Sequence, residues 1–376
     1  MLSRTMLSRA SLLPRIARRR YRSHGADIFY PPSRGVAPLI ESESKSRRRF
    51  HKQHTTADVL LASTETSNSP SVKNALRPSS CDPAAESSMR MTQPLSSKVM
   101  TTLSPTFQRF ALKDKVAIVT GGARGLGLNM TQALCESGIK AVAIFDIQPT
   151  LGESMAAALS TSTGIPVKYY NVDVVDEESV DSAVQKVATE LGQIDILINS
   201  AGVAFSNIPA ERYKMSDFEK TININLMGSF RIARAVGRHM IAATATRTRP
   251  ASSNADLPDR SIILIASMSG TIVNYPQPQA AYNASKAGVI QLSKSLASEW
   301  ARYGIRVNTI SPGYMDTALN RVPALEGQKE MWKERTPMGR LGAVEELNGL
   351  VVWLAGEGGR FCTGADLRVD GGYSIW

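Results

Sequence analysis

From about Phe107 onward, short apolar runs alternate with stretches of helical period. Val116-Ala-Ile-Val-Thr120 is the first such run and is followed by glycines. Similar runs follow at 141–145, 167–170, 194–198, 261–266, 305–310 and 366–369. Runs without polar alternation fit strands buried on both faces. Between them lie candidate helices at 126–137, 151–159, 177–191, 218–241, 280–303 and 344–354. Strands alternating with helices predict βαβ units, hence an α/β fold with one doubly wound parallel sheet flanked by helices. The stretch 242–260, with Arg247, Arg249, Pro250 and Pro258, is expected to be a polar surface loop.

Charge sharpens the division of the chain. The net charge of +11 by itself suggests an acidic partner. Its position argues otherwise: residues 1–110 hold 18 Lys/Arg and 7 Asp/Glu, and residues 111–376 hold 26 of each. A nucleic-acid-binding domain carries the basic excess on its own surface, so no nucleic acid is expected as partner. No run approaches 18 uninterrupted apolar residues, so no membrane span is expected. His239 is the sole histidine beyond residue 110, and Cys81, Cys135 and Cys362 are scattered. That pattern excludes Cys/His zinc spacing and a disulfide framework, and no metal is expected.

Residues 1–22 carry seven arginines and no acidic residue, interleaved with Leu2, Leu7, Leu12, Leu13 and Ile16. This resembles a mitochondrial presequence and implies the matrix; without it, the cytoplasm is expected. Residues 23–106 are rich in Ser, Thr and Pro and lack sustained apolar periodicity, so a disordered extension is expected there. A single domain then spans 107–376.

Two groups of residues carry the chemistry. In Thr120-Gly-Gly-Ala-Arg-Gly-Leu-Gly127, Gly121, Gly125 and Gly127 lie between the first strand and the first helix. A glycine turn opening a helix lets backbone approach a pyrophosphate at the positive end of the helix dipole. This is the dinucleotide-binding arrangement of a Rossmann-type sheet. Asp146 ends the second strand, 19 residues past Gly127, where a carboxylate accepts from the adenosine ribose hydroxyls. Near a 2′-phosphate it would repel by roughly 1–4 kcal/mol per unit charge. Asp146 therefore favours NAD, whereas Arg124 inside the loop is the feature that favours NADP.

The second group is Tyr282 and Lys286, four apart and so on one helix face. Tyrosine, with a pKa of about 10, is a poor base at neutral pH. Lowering it by roughly three pH units takes about 4 kcal/mol. A positive charge about 4 Å away at an effective dielectric near 20 supplies that much.

With both groups in one chain, residues 107–376 resemble a short-chain dehydrogenase/reductase. The family's motifs follow in order: the glycine loop, Asp173, Asn199-Ser-Ala-Gly202, Asn225, a serine after the fifth strand, Tyr282-x-x-x-Lys286, then Pro312-Gly313 with Thr317. Ser200 departs from the family's usual second asparagine. Two serines compete for the catalytic position. Ser269 has the commoner 13-residue spacing to Tyr282, and Ser267 has the expected place relative to the strand end and Gly270. A two-residue insertion reconciles Ser267, which is preferred.

The stretches Ser261–Gln279, Arg306–Tyr314 and Val369–Trp376 are most similar to fungal NAD-linked D-arabinitol 2-dehydrogenases that form D-ribulose. Mannitol 2-dehydrogenases, sorbose reductases and L-xylulose reductases, some NADP-linked, share much of the pattern. The resemblance implies a polyol or ketose substrate and hydride transfer to nicotinamide. Tyr282 would be the proton-transfer residue, with Lys286 lowering its pKa, Ser267 holding the substrate oxygen and Asn225 supporting a relay. Gly121, Arg124, Gly125, Leu126, Gly127, Asp146, Asp173, Asn199, Gly202, Tyr282, Lys286, Pro312, Gly313 and Thr317 would line the cofactor. A substrate lid is expected at about 315–337, with Met331 and Trp332 as wall residues, and Asn274, Gln277 and Gln279 near the pocket. The family analogy also implies a homotetramer. A 3-oxoacyl or steroid reductase would call for a more apolar substrate loop. The balanced charge of 111–376 argues against a non-enzymatic basic binding protein.

Overall fold

In the computed structural model of the chain, the described residues are Pro94, 97–245, 257–321 and 323–376. The expected presequence 1–22 and most of the extension 23–106 lie outside them. The end of that extension departs from expectation: helices form at Ser97–Thr102 and Pro105–Gln108, the second with Pro105 in its first turn.

The apolar runs become seven strands: β1 Val116–Thr120, β2 Ala141–Asp146, β3 Val167–Asn171, β4 Ile196–Asn199, β5 Arg260–Ile265, β6 Ile305–Pro312 and β7 Asp366–Val369. They form one sheet in the order β3-β2-β1-β4-β5-β6-β7, and every pairing is parallel. Parallel neighbours need crossover connections, which the helices supply. These are α1 Gly125–Glu136, α2 Pro149–Thr163, α3 Glu177–Leu191, α4 Met215–Ile222, α5 Gly228–Ala245, α6 Ala280–Trp300, α7 Glu326–Arg335 and α8 Asn348–Ala355.

Successive strand residues point to opposite sides. Val116 and Ile118 of β1 join Val184, Val236 and Val289 in one apolar layer. Ala117 and Val119 join Leu128, Leu159 and Leu354 in the other. Two layers on one sheet explain why the central strands have no polar alternation.

Three segments differ from the sequence-based expectation. The helix expected over 218–241 is two helices, α4 and α5, joined by a π-helical turn at Asn223–Met227. The one expected over 344–354 starts with a 3-10 turn, Val344–Leu347, before α8. Neither join carries a proline to mark it. Arg260, placed in a surface loop by its polarity, is 1% exposed and begins β5. Its guanidinium donates to the Met240 carbonyl at 2.7 Å and bonds Thr244, which offsets the cost of burying the charge. Residues 246–256 of the expected loop lie outside the described residues.

The strand order changes direction between β1 and β4, which lie side by side. In open α/β sheets the crevice beyond the carboxyl ends of strands at such a switch point is where ligands bind. The loops after β1, β4, β5 and β6 all emerge there.

Candidate active site

The glycine loop leaves β1 through Gly121, whose φ of +63° suits glycine. A side chain at Gly127 would meet the Gly121 carbonyl oxygen at 2.1 Å, so α1 packs directly on the loop. At Gly125, by contrast, an added Cβ meets nothing within 4 Å, so backbone faces open space there. Arg124 precedes the helix, half-buried, in extended conformation. Leu126 and Gly127 stand in the helix's first turn, where N–H groups have no intrahelical acceptor.

Asp146 is buried at the end of β2. It accepts from the Ala123 amide and the Gln148 amide, each at 3.2 Å. The first bond ties the carboxylate to the glycine loop. Among the described residues Asp146 makes no ion pair with Arg124. Asp173 lies exposed beyond β3 and accepts from the Val175 amide at 3.0 Å.

Asn199 is buried with its amide committed inside the fold. It accepts from Thr120 at 2.7 Å and donates to Ser229 at 2.7 Å, tying β4 to β1 and α5. Its side chain is thus a brace beneath the crevice, not part of its lining. Gly202, three residues on, does face the centre: a Cβ there would lie 3.2 Å from Asn225 Oδ1 and 3.7 Å from Lys286 Nζ.

Asn225 sits in the π-helical turn and is 1% exposed. π-helical turns recur at functional sites because the extra residue re-aims a side chain. The Asn225 amide pairs with the backbone of Val203, accepting from its N–H at 2.8 Å and donating to its carbonyl at 2.9 Å. It also donates to Ser285 of α6 at 3.0 Å. Asn225 therefore fastens the Gly202 turn to the helix that carries Tyr282 and Lys286.

Tyr282 and Lys286 occupy the first two turns of α6. Lys286 Nζ donates to the Ile265 carbonyl at the end of β5 at 2.8 Å and lies 5.6 Å from the centre of the Tyr282 ring. Burial pushes the Lys286 pKa down to about 8. Burial likewise raises the Tyr282 pKa, and the hydrogen bond from Ser267 opposes it. Desolvation is the largest influence on the buried phenol and opposes the lowering expected from Lys286.

Ser267 follows β5 and caps the 3-10 turn Met268–Gly270, accepting from the Ser269 amide at 3.1 Å, and its side chain opposes the burial-driven rise of the Tyr282 pKa. Ser269 lies behind it, 3.1 Å from Ser267 Oγ. Of the two serines it is Ser267, the one preferred from its position relative to Gly270, whose side chain acts on the Tyr282 phenol.

Pro312 ends β6, and Gly313 donates to the Val369 carbonyl at 2.9 Å. Thr317 is half-buried just beyond. The segment 315–337, expected as a substrate lid, contains α7, with Trp332 buried and Met331 exposed. The Trp332 ring stacks on Tyr314, with centroids 4.0 Å apart, and its indole N–H donates to Gln277 at 2.9 Å. Asn274, Gln277 and Gln279, polar enough in sequence to suggest a wet loop, are all buried. Asn274 donates to the Tyr314 hydroxyl at 3.0 Å and accepts from Gln279 at 2.8 Å. Bonds to Tyr314, to Trp332 and between Asn274 and Gln279 make such burial tolerable, and a linear sequence does not display them.

Among the described residues no group of three His, Cys, Asp or Glu side chains converges on a metal-sized site. None of the described helices is long and apolar enough to cross a membrane.

The chain is similar to known proteins over most of its length. A family profile described as enoyl-(acyl carrier protein) reductase matches residues 121–374. The galactitol 2-dehydrogenase of Rhizobium johnstonii is 38% identical, over 72% of this chain and 98% of its own. The ribulose-forming D-arabinitol 2-dehydrogenase of Scheffersomyces stipitis is also 38% identical, over 71% of this chain and 96% of its own. The NADP-dependent mannitol dehydrogenase of Hypocrea jecorina is 37% identical, over 70% and 94%. A solved structure titled gox2181 superposes with a TM-score of 0.66 at 39% identity, covering 72% of this chain and all of that one.

Proposed function

Starting from a chain that belongs to the short-chain dehydrogenase/reductase family and is an NAD(P)-dependent oxidoreductase of alcohol groups, we propose that it oxidises a polyol secondary hydroxyl to a ketose with NAD. We propose D-arabinitol as the polyol and D-ribulose as the product. The observation that carries this is the convergence of Ser267, Tyr282 and Lys286 at the end of β5, in the crevice onto which the Gly121–Gly127 loop also opens.

The residues fit a dinucleotide. The backbone at Gly125 faces open space, so a pyrophosphate can approach. The amides of Leu126 and Gly127 stand at the helix end that favours anions. Asp146 keeps lone pairs after its two bonds and accepts from ribose hydroxyls. When bound, the nicotinamide supplies the hydride acceptor. Tyr282 takes the proton of the reacting hydroxyl, and Ser267 donates to the same oxygen as it becomes a carbonyl. Lys286, held by Ile265, stabilises the phenolate and binds the nicotinamide ribose. Asn225 keeps the Gly202 turn and α6 in register beside it.

Arg124 favours a second reading, an NADP-linked mannitol 2-dehydrogenase, sorbose reductase or L-xylulose reductase. It stands beside the loop, where a guanidinium pairs with a 2′-phosphate. The test is turnover of D-arabinitol, galactitol, mannitol and xylitol with each cofactor. NAD-linked oxidation of D-arabinitol is expected to have the highest kcat/KM. A strong NADP preference abolished by Arg124→Ala would establish the second reading.

A further inference from the structure

Asp146 is held by more than the two bonds of its carboxylate. Its backbone carbonyl accepts from the Val172 amide at 3.1 Å and from the Tyr169 hydroxyl at 2.8 Å. A carbonyl oxygen has two lone pairs, so both are used. The pairing of β2 with β3 ends at Asp146 and Asn171, and Ile147 beyond it is exposed. The Tyr169 hydroxyl thus pins the last peptide of β2. The Gln148 amide, from which Asp146 Oδ1 accepts at 3.2 Å, lies two residues on. In such a turn the orientation of the intervening peptide sets where the carboxylate is drawn.

The Tyr169 hydroxyl has one proton, and the Asp146 carbonyl is its near acceptor. The Asn171 side-chain oxygen stands farther off, at 3.4 Å. Burial, then the charges of Asp146 and Glu153, push the Tyr169 pKa up to about 12. The phenol therefore keeps its proton at neutral pH and is a standing donor.

Gly152 makes room for the ring. Glycine is disfavoured in a helix relative to alanine, yet it stands near the start of α2. A Cβ there would lie 2.2 Å from two carbons of the Tyr169 ring. The ring therefore lies directly against the backbone of α2, which fixes the hydroxyl at the far end of the phenol.

Resting on the reading of Asp146 as the acceptor for the adenosine ribose, we propose that Tyr169 is a positioning residue for cofactor choice: by bonding the Asp146 carbonyl, it holds the carboxylate where it accepts from the ribose hydroxyls and repels a 2′-phosphate. Hydrogen bonds weaken steeply when misaligned, so a carboxylate free to swing loses affinity for NAD. The same swing takes its charge away from a 2′-phosphate, and the repulsion falls with distance. The bond from Tyr169 therefore affects NAD and NADP in opposite senses.

The test is the dissociation constants of NAD and NADP for the full chain, measured by calorimetry. Tyr169→Phe keeps the ring and removes the donor. It is expected to weaken NAD about threefold or more and to leave NADP equal or tighter. A merely structural role would weaken both alike. In an Asp146→Ser background, Tyr169→Phe is expected to leave the NAD-to-NADP ratio where Asp146→Ser puts it, since it acts through the carboxylate. Gly152→Ala, which displaces the ring, is expected to lower the preference for NAD as well, and it decides the matter if Tyr169→Phe does not fold. An unchanged ratio in the folded variants, an equal loss for both cofactors, or the same change without the Asp146 carboxylate would overturn the proposal. An unchanged ratio in Asp146→Ser alone would overturn the reading of Asp146 itself, and the proposal with it.

Discussion

Lys286 donates to the Ile265 carbonyl at 2.8 Å while standing 5.6 Å from the centre of the Tyr282 ring. One carbonyl at the end of β5 thus holds the ammonium beside the phenol, and both groups are buried for it. Burial moves their pKa values apart, the phenol up from its ordinary value and the ammonium down to about 8. Each charged form is then costly alone, and a phenolate beside an ammonium relieves both.

Lys286→Met follows from that cost. The ordinary pKa of 10.5 against about 8 corresponds to about 3 kcal/mol of destabilisation by the buried charge. Losing the donor to Ile265 returns about 1 kcal/mol. The variant is expected to be about 1–2 kcal/mol more stable than wild type at pH 7 in urea unfolding. The native pKa lies below the unfolded one, so between about pH 8 and 10.5 the unfolded state binds more protons. Wild-type stability from this group therefore rises with pH across that window, and the variant's advantage shrinks there. Activity is expected to be lost at every pH.

Asp146→Ser removes the carboxylate that would repel a 2′-phosphate. The ratio of kcat/KM for NAD over NADP is expected to fall at least about tenfold, corresponding to about 1.4 kcal/mol. The Ala123 amide also loses its acceptor, so a stability loss of about 1 kcal/mol should accompany it. Unchanged preference would show that Arg124, not Asp146, sets the cofactor.

Gln277→Leu leaves the buried Trp332 indole without its acceptor. That costs about 1–3 kcal/mol of stability. Because α7 carries Trp332, KM for the polyol is expected to rise more than kcat falls. Steady-state kinetics and thermal unfolding check the two effects together.

Gly127→Ala places a methyl 2.1 Å from the Gly121 carbonyl oxygen. Backbone cannot yield there without parting the loop from α1. Loss of NAD binding, measured by calorimetry, is expected even where the chain still folds.

The sheet was legible in sequence for a simple reason. Strands covered on both faces must be apolar throughout, as Val116–Val119 and Ile262–Ile265 are. Gly121, Gly125, Gly127, Tyr282 and Lys286 could be picked out because their spacing is local to one turn or one helix face, and Asp146 because it ends the second strand. Asn225 was legible by motif but not by geometry, since no residue in Asn223–Met227 marks the π-helical turn. Asn274, Gln277 and Gln279 were the hardest to place. A polar loop residue and a buried one that finds partners look alike until β5, β6 and α7 bring Ser269, Tyr314 and Trp332 around them. The same non-locality hid the brace made by Asn199 between Thr120 and Ser229.

Nicotinamide reduction with D-arabinitol, by wild type and Tyr282→Phe side by side, tests the central claim most directly. Wild type is expected to reduce NAD when the polyol is added. Tyr282→Phe is expected to lose about 10²–10⁴-fold in kcat while still binding NAD. A wild-type chain that reduces neither cofactor with any polyol, or a Tyr282→Phe variant with undiminished turnover, would contradict the account.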